Sequence, residues 1–180
     1  MEYMNKSERL KVTLIMVMSA NGIVAQKKTE NSFEWSSVSD KKQFLNRIRE
    51  IGTVIMGGNT FRAIKQEPYE GVRFFVLSRR PYRFQPNKNV EFIRGDILQV
   101  YKELCDKGIR QVALLGGPET NAQFFNHGLI DNLYLTIEPL LLPKGLQFVS
   151  QLDMKTDLVL NEMKVLDNSN SILLHYSVRK

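Results

Sequence analysis

The sequence predicts an α/β fold with three layers, in which helices cover both faces of a mixed, mostly parallel central sheet. Two observations lead to this prediction. Apolar runs typical of buried strands alternate with amphipathic helical segments through the first two thirds of the 180 residues. The last third instead contains two strand-like segments, 158–166 and 172–178, on either side of an Asn-Ser-Asn turn. Such a pair is typical of an antiparallel hairpin, which completes the predicted sheet.

The first half of the chain supplies most of the parallel strands. Residues 12–18 are apolar on both faces, as expected of a strand that is covered on both sides. Ser37 is followed three residues later by Asp40, an arrangement similar to a capping box, and apolar residues then recur at helical spacing as far as Gly52. The other elements are, in order, a strand continuation over 23–25, a strand over 53–56 that runs into residues 57–60, then a short helix through Ile64, and strands over 73–77 and 90–93.

The second half continues this alternation and then departs from it. Asp96 and Gln99 form a second capping box, and the helix that they begin ends at Gly108. The elements that follow are a strand over 112–115, a helix over 118–126, a strand over 133–137 and the two hairpin strands. We expect residues 1–9 to form a flexible tail and residues 10–180 to form a single domain.

Composition and charge exclude several classes of protein. Hydrophobic residues make up 43% of the chain and charged residues 24%, which is ordinary for a soluble globular protein, and no apolar run is long enough to span a bilayer. One cysteine and two histidines argue against a disulfide framework or a metal site. The N-terminus lacks the apolar core of a signal peptide, so we expect a cytoplasmic protein. The net charge of +6 is dispersed, which favours a small polyphosphate ligand over nucleic acid.

Three of the predicted strands end in segments suited to binding phosphate. These corners are Gly57-Gly58, Ser78-Arg79-Arg80 and Gly116-Gly117. Glycines between a strand and a helix expose backbone N–H groups to an anion, although a tight turn that needs glycine explains either pair alone. The Ser-Arg-Arg corner suits a phosphate monoester, or else is a solvated pair of charges. No G-x-G-x-x-G is present, so this is not the usual Rossmann site, but the ends of parallel strands should converge on one edge.

Taken together, these motifs resemble a known group of proteins. VIMGGNTF, VLSRR, LLGGPET and GLIDNLYLTIEPLLLPKG occur in the same order and at similar spacing as in the dihydrofolate reductase-like superfamily. The chain is most similar to the C-terminal reductase domain of the riboflavin-biosynthesis deaminase–reductases and its stand-alone relatives, over about residues 11–179. The resemblance implies a dihydrofolate reductase-like fold and an NADPH-dependent reductase.

The resemblance also implies which residues bind the cofactor. The residues that fall on NADPH-binding positions are Val17, Gly57, Gly58, Thr60, Leu77, Ser78, Arg79, Gly116, Gly117, Pro118, Glu119 and Thr120. Amides at a helix N-terminus would bind the pyrophosphate, and Ser78 with Arg79 would bind the 2′-phosphate. By the same resemblance, we expect a cis peptide between Gly116 and Gly117.

The resemblance assigns the chemistry to one acid. Trp35, Asp40 and Phe44 match, in type and spacing, the tryptophan, acid and phenylalanine of dihydrofolate reductases, in which the acid lies under the pterin and assists its protonation. Thr136 matches the threonine that hydrogen-bonds that acid. We therefore expect Asp40 and Thr136 to be catalytic, with Trp35 and Phe44 as apolar walls for a flat ring. From the residues alone, Asp40 is also explained by the preference for acids in the first turn of a helix.

The sequence departs from both groups of reductases on the substrate side. Val72 stands where dihydrofolate reductases have the arginine that binds the glutamate tail of folate, so dihydrofolate is disfavoured as the substrate. Asn21 stands where the riboflavin reductases have an aspartate, which removes a charge but keeps a hydrogen-bonding group for the substrate. Leu115 replaces their glutamate before the paired glycines. These differences question the ribosylamino-pyrimidine substrate more than the cofactor.

Together these observations predict an NADPH-dependent reductase of a pyrimidine- or pterin-like heterocycle. The first substrate to test is 5-amino-6-(5-phosphoribosylamino)uracil, which the riboflavin-biosynthesis reductases use. A dihydrofolate or other pteridine reductase is one alternative, and a nucleotide-binding module without catalysis is another. Members of the superfamily commonly pair through the late strands of the sheet, so the resemblance also implies a homodimer.

Overall fold

The structure is a computed structural model, which describes residues 9–28, 30–65, 67–80 and 88–179. Within these ranges the chain forms ten β-strands and four α-helices. None of the helices found there is long and apolar enough to cross a membrane. Residues 1–8 of the expected flexible tail lie outside the described residues, and Arg9, its last residue, forms an ion pair of 3.0 Å with Asp131.

The elements follow the order that the sequence predicts. The strands are β1 (Lys11–Ser19), β2 (Ile23–Ala25), β3 (Thr53–Gly57), β4 (Arg73–Leu77), β5 (Val90–Ile93), β6 (Gln111–Leu114), β7 (Asn132–Glu138), β8 (Leu146–Gln147), β9 (Leu158–Val165) and β10 (Ile172–Val178). The helices are α1 (Val38–Ile51), α2 (Gly58–Ala63), α3 (Ile97–Asp106) and α4 (Pro118–Asn126). A 3-10 turn, Ser32–Glu34, precedes α1.

Eight strands form one sheet in the order β5-β4-β3-β6-β1-β7-β10-β9. In this order, each neighbouring pair from β5 across to β7 is parallel, whereas β10 is antiparallel to both β7 and β9. Parallel neighbours need long crossover connections, and the four helices lie in such connections, while the closing pair needs only a tight turn. The predicted mixed, mostly parallel sheet with a C-terminal antiparallel hairpin is therefore confirmed.

Helices cover both faces of this sheet, so the predicted three layers are present. Helices α3 and α4 cover one face, where Leu104 belongs to the same buried cluster as Leu14 of β1. Helices α1 and α2 cover the other face, where Ile48 and Phe61 cluster with Ile15, the next residue of β1. Successive residues of a strand point to opposite faces, which explains why β1 is apolar throughout.

A second, two-stranded sheet joins β2 to β8. The sequence suggests that β2 continues β1, but the chain turns away at Gly22, which has φ +83°. Asn21 holds this turn, because its Oδ1 accepts the Leu142 N–H at 3.1 Å and its Nδ2 donates to the Leu142 carbonyl at 2.8 Å. Gly145 permits the pairing, since a Cβ there would overlap the Ala25 carbonyl oxygen.

Helix α1 begins and ends as the sequence predicts. Ser37 is the N-cap residue, and its Oγ accepts the Asp40 N–H at 3.1 Å. Gly52 ends the helix in the left-handed conformation at φ +75°. The predicted capping box of α3 is also present. The cap of α1 places Asp40 in the first turn of the helix, beside Thr136 of β7.

Candidate functional site

A cavity of about 650 Å³ lies at the carboxyl ends of β1, β3, β4 and β6. The predicted site residues that line it are Val17, Asp40, Phe44, Gly57, Gly58, Thr60, Leu77, Ser78, Arg79, Gly117, Pro118, Glu119 and Thr120. These include residues from each of the three strand-end corners. Because the sheet is parallel here, the strand ends meet at one edge, which is where ligands bind in folds of this kind.

The two glycine corners touch each other directly. The Gly57 N–H donates to the Gly116 carbonyl at 2.7 Å. A Cβ on Gly57 would lie 2.8 Å from Thr120 Oγ1, and one on Gly117 would lie 3.2 Å from Thr60 Oγ1. The peptide between Gly116 and Gly117 is cis, as expected. Only glycine lets the corners approach this closely, and it leaves bare backbone on the cavity wall, which fits a ligand carrying phosphate.

The third corner adds positive charge at the cavity mouth. Ser78 Oγ accepts the Arg80 N–H at 3.1 Å and so turns the chain at the end of β4. Arg79 and Arg80 are both exposed and both line the cavity. Glu119, at the start of α4, forms an ion pair of 3.3 Å with Lys28 across this mouth. Further basic residues of the lining are Lys27 and Arg62. This excess of positive charge suits an anionic ligand.

Asp40 is a buried acid on the cavity wall, with 5% of its surface exposed. Burial raises the pKa of the Asp40 carboxyl above its ordinary value, and the negative charge of Glu138 acts in the same direction. The hydroxyl of Thr136, as a hydrogen-bond donor, and the charge of Lys41 lower the pKa and partly oppose this rise. A carboxyl whose pKa is raised keeps its proton closer to neutral pH and can therefore act as a proton donor.

Three aromatic rings form one wall of the cavity. Phe44 contacts Phe33 and Tyr69, with ring centroids 5.2 Å and 5.7 Å away and nearly perpendicular planes. The centroids of Phe33 and Tyr69 are 6.4 Å apart. Burial raises the pKa of Tyr69 to about 12, so its hydroxyl stays protonated. Of the two wall residues that the sequence predicts, Trp35 and Phe44, Phe44 belongs to this wall. Phe33 and Tyr69 were not predicted, because they lie in irregular segments without apolar periodicity.

Four of the predicted site residues, all within the described ranges, lie outside the cavity lining. Gly116 lies at the contact between the glycine corners, and Thr136 is buried beside Asp40. Asn21 holds the turn after β1. Trp35 has a buried indole Nε1 without a hydrogen-bond partner among the described residues. The described parts of the chain also contain no cluster of three His, Cys, Asp or Glu side chains that would hold a metal ion. The assigned roles of all the site residues stay predictions.

Solved structures with the same architecture show that the fold is dihydrofolate reductase-like. A pyrimidine reductase-like protein from Corynebacterium diphtheriae has a TM-score of 0.78 and 18% identity, with 94% of this chain and 92% of that chain covered. Dihydrofolate reductase from Enterococcus faecalis, in complex with NADP(H), has a TM-score of 0.75 and 19% identity, with 97% of this chain and 98% of that chain covered. At these identities the likeness establishes the fold.

Sequence comparison assigns the family. The uncharacterized protein YwjB of Bacillus subtilis (strain 168) is 24% identical over 173 residues, which cover 92% of this chain and 97% of YwjB. The sequence model of the RibD C-terminal domain matches residues 10–174. This match confirms the resemblance to the reductase domain of the riboflavin-biosynthesis deaminase–reductases. The chain belongs to the RibD C-terminal domain family.

Proposed function

We propose that the protein is an NADPH-dependent reductase of a pyrimidine-like heterocycle, with 5-amino-6-(5-phosphoribosylamino)uracil as the first substrate to test. The observation that carries this proposal is that three strand-end corners and a buried acid, Asp40, line one cavity. Membership in the RibD C-terminal domain family supports it. The fold shared with a pyrimidine reductase-like protein from Corynebacterium diphtheriae is further support.

The corners fit the phosphates of a dinucleotide. The first amides of α4, which Gly117 caps, carry partial positive charge and would bind the pyrophosphate. Arg79 would pair with the 2′-phosphate, since a guanidinium binds phosphate oxygens in a forked geometry. Thr60 and Thr120, which lie at the contact between the corners, would add hydroxyl groups. NADPH would supply the hydride for the reduction from its nicotinamide ring. The NADP(H) complex of the Enterococcus faecalis reductase, which has the same fold, supports this assignment.

Asp40 would hold a proton at the substrate end of the cavity. Because burial raises the pKa of its carboxyl, the protonated acid persists toward neutral pH, where it can donate to a nitrogen or oxygen of the bound heterocycle. Thr136 would orient the carboxyl through a hydrogen bond. Phe44 and the two rings that contact it would hold a flat substrate ring and exclude water.

A pteridine reductase is the second candidate, because the same acid and aromatic wall suit a pterin ring. Val72 is 2% exposed and apolar, so it offers nothing to the carboxylate of a glutamate tail. This favours a pterin without a glutamate tail over dihydrofolate.

The test is an assay of purified protein with NADPH and each candidate heterocycle, followed by the loss of nicotinamide absorbance. We expect the wild type to reduce one candidate, and Asp40→Asn to lose turnover by about 100-fold or more while it still binds NADPH. Asp153→Asn is the matched control, because Asp153 is exposed and lies outside the cavity lining. Binding of NADPH without reduction of any candidate would support a nucleotide-binding module instead.

We further propose that two chains pair through β9 to form a homodimer. This strand lies at the edge of the sheet, and all eight of its residues are exposed. Leu160, Met163 and Val165 are among the exposed apolar side chains of this strand. An exposed apolar edge strand is prone to pair with another chain, so a second copy is the occupant that we propose.

A further inference from the structure

Glu138, the last residue of β7, is a buried carboxylate outside the cavity lining. It is 3% exposed, and none of the ion pairs among the described residues includes it. Its Oε1 accepts the Ser37 N–H at 2.9 Å, and its Oε2 accepts the Ser171 O–H at 2.7 Å. Burying an acid without a cation is costly unless hydrogen bonds compensate, so this residue points to a specific role.

The hydrogen bonds of Glu138 reach the first turn of α1. Ser37, whose amide Glu138 holds, caps that helix through its Oγ, which accepts the Asp40 N–H at 3.1 Å. Ser171 Oγ lies 3.1 Å from Ser37 Oγ and connects the start of β10 to the same cap. Glu138 is therefore two hydrogen bonds away from Asp40, through Ser37.

Glu138 also acts on Asp40 through its charge. Thr136 and Glu138 are two positions apart on β7, so both side chains point to the face that carries the start of α1. Burial is the main cause of the raised pKa of Asp40, and Glu138 adds to the rise. The hydroxyls of Thr136 and Ser36 and the positive charge of Lys41 lower the same pKa. Among these groups, Glu138 is the one that adds a like charge.

We propose that Glu138 is a positioning residue for Asp40, which holds the first turn of α1 in place and sets a second negative charge beside the Asp40 carboxyl. The consequence is that Asp40 keeps its proton to a higher pH than it would without the charge of Glu138. The part of this inference that concerns catalysis rests on the proposed function, whereas the part that concerns the titration of Asp40 does not. If Glu138 had only a structural role, it would hold the helix, and removal of its charge would leave the titration of Asp40 unchanged.

The test is the titration of Asp40, followed by carboxyl ¹³C NMR in the wild type, Glu138→Gln and Glu50→Gln. The Asp40 signal is identified by its loss in Asp40→Asn. Glutamine has the shape of glutamate, keeps an oxygen for the Ser37 N–H and can donate to Ser171 Oγ, so the hydrogen bonds survive while the charge is removed. Glu50, exposed at the far end of α1, is the matched control. We expect the Asp40 pKa to fall in Glu138→Gln and to stay unchanged in Glu50→Gln.

Two results have opposite meanings for the proposal. Equal Asp40 titration midpoints in the wild type and Glu138→Gln would overturn the role of the charge, whatever the activity of the protein. A lower midpoint would support it, and in an active enzyme the pH at which kcat/KM declines should then move down by the same amount. A lower midpoint in a protein that reduces no heterocycle would retain the role of Glu138 and reject the proposed function.

Ser171→Ala tests whether the hydrogen bonds of Glu138 hold the first turn of α1. It is used in place of Glu138→Gln if that variant fails to fold. It keeps the charge of Glu138 and removes one of its hydrogen bonds. We expect faster amide hydrogen exchange at Ser37 and Asp40, with the pKa of Asp40 still above its ordinary value. Unchanged exchange at both amides would overturn the joint hold of Glu138 and Ser171 on the first turn of α1.

Discussion

A Cβ atom on Gly57 would lie 2.8 Å from Oγ1 of Thr120, although Gly57 ends β3 and Thr120 belongs to the first turn of α4. Two separate connections of the parallel sheet therefore meet in a contact that leaves no room for a side chain. The hydrogen bond from the Gly57 N–H to the Gly116 carbonyl stabilises the same contact. The shape of the proposed phosphate site thus depends on one missing methyl group.

Gly57→Ala should weaken NADPH binding by about tenfold or more. The added methyl group would clash with Thr120 at a cost of about 1–3 kcal/mol, and the structure would relieve this clash by moving the α4 amides out of position. Thr120 is buried, so its side chain has little freedom to move aside. Calorimetric titration with NADPH measures the loss. Gly52→Ala is the control. Gly52 has φ +75° and an added Cβ would meet open space, so this variant should be less stable than the wild type but should bind NADPH equally well. Wild-type affinity in Gly57→Ala would contradict the proposed role of this contact.

Local patterns in the sequence were sufficient to predict the sheet edge at which these corners meet. Paired glycines directly after apolar runs mark strand ends, and the ends of parallel strands lie at one edge. Ser37 and Gly52 likewise predicted both ends of α1, since helix caps depend on the chemistry of a few neighbouring residues. In each case the relevant interaction is confined to a short stretch of chain, where a single sequence carries the necessary information.

Contacts between distant irregular segments were not predictable in this way. Strand β8 has only two residues, too few to show alternation, and its pairing with β2 depends on the close approach at Gly145. Phe33 and Tyr69 meet because two segments without periodicity fold together beside α1. Glu138 ends an apolar strand, and nothing in the sequence indicates that its hydroxyl partner is Ser171, 33 residues later.

Arg79→Ala should discriminate between the two nicotinamide cofactors. A charge-assisted hydrogen bond is worth about 1.5–3 kcal/mol, so we expect the Kd for NADPH to rise roughly 10- to 150-fold. The Kd for NADH should barely change, because NADH lacks the 2′-phosphate. Arg94→Ala, which removes another exposed arginine from outside the cavity lining, is the control for the change in net charge. Equal losses for both cofactors would remove Arg79 from the 2′-phosphate role.

Asp40→Asn should stabilise the protein at neutral and alkaline pH. Burial raises the pKa of Asp40 in the folded state, so the stability that this group contributes is complete below its unfolded pKa of about 4 and is lost as the pH rises through its folded pKa. Asparagine remains neutral at every pH and avoids that loss. Differential scanning calorimetry should therefore show a higher Tm for Asp40→Asn than for the wild type at about pH 8, with the difference shrinking toward about pH 4.

The exposed Asp153→Asn variant should show no such pH-dependent difference. A Tm for Asp40→Asn that is below the wild type at high pH would mean that the ionised carboxylate is well stabilised in the folded protein. Asp40 would then be a poor proton donor near neutral pH, and the proposed catalytic role would need another acid.

A glutamate tail should contribute nothing to substrate recognition. Val72 is buried and apolar, so it provides no cation for the carboxylate of the tail. If the protein reduces pterins at all, kcat/KM for dihydrofolate should therefore be no higher than for a dihydropterin without the tail. Steady-state kinetics with both compounds provide the comparison. A clear preference for dihydrofolate would show that a cationic group elsewhere in the cavity binds the tail carboxylates.

The proposed dimer should dissociate when charge is placed on the exposed face of β9. Met163 and Val165 are 66% and 64% exposed and, two positions apart, point to the same side of the strand. The double variant Met163→Lys/Val165→Lys puts two positive charges from each chain into the proposed interface, where like charges repel.

Analytical ultracentrifugation over a range of concentrations should show a wild-type dimer and a monomeric variant. The double variant Leu152→Lys/Met154→Lys, which changes exposed apolar residues outside β9 by the same charge, should remain dimeric. Strand β9 lies at the sheet edge beyond β10, away from the strands that line the cavity, so NADPH binding should survive in both variants. A wild-type protein that is monomeric would overturn the proposed pairing.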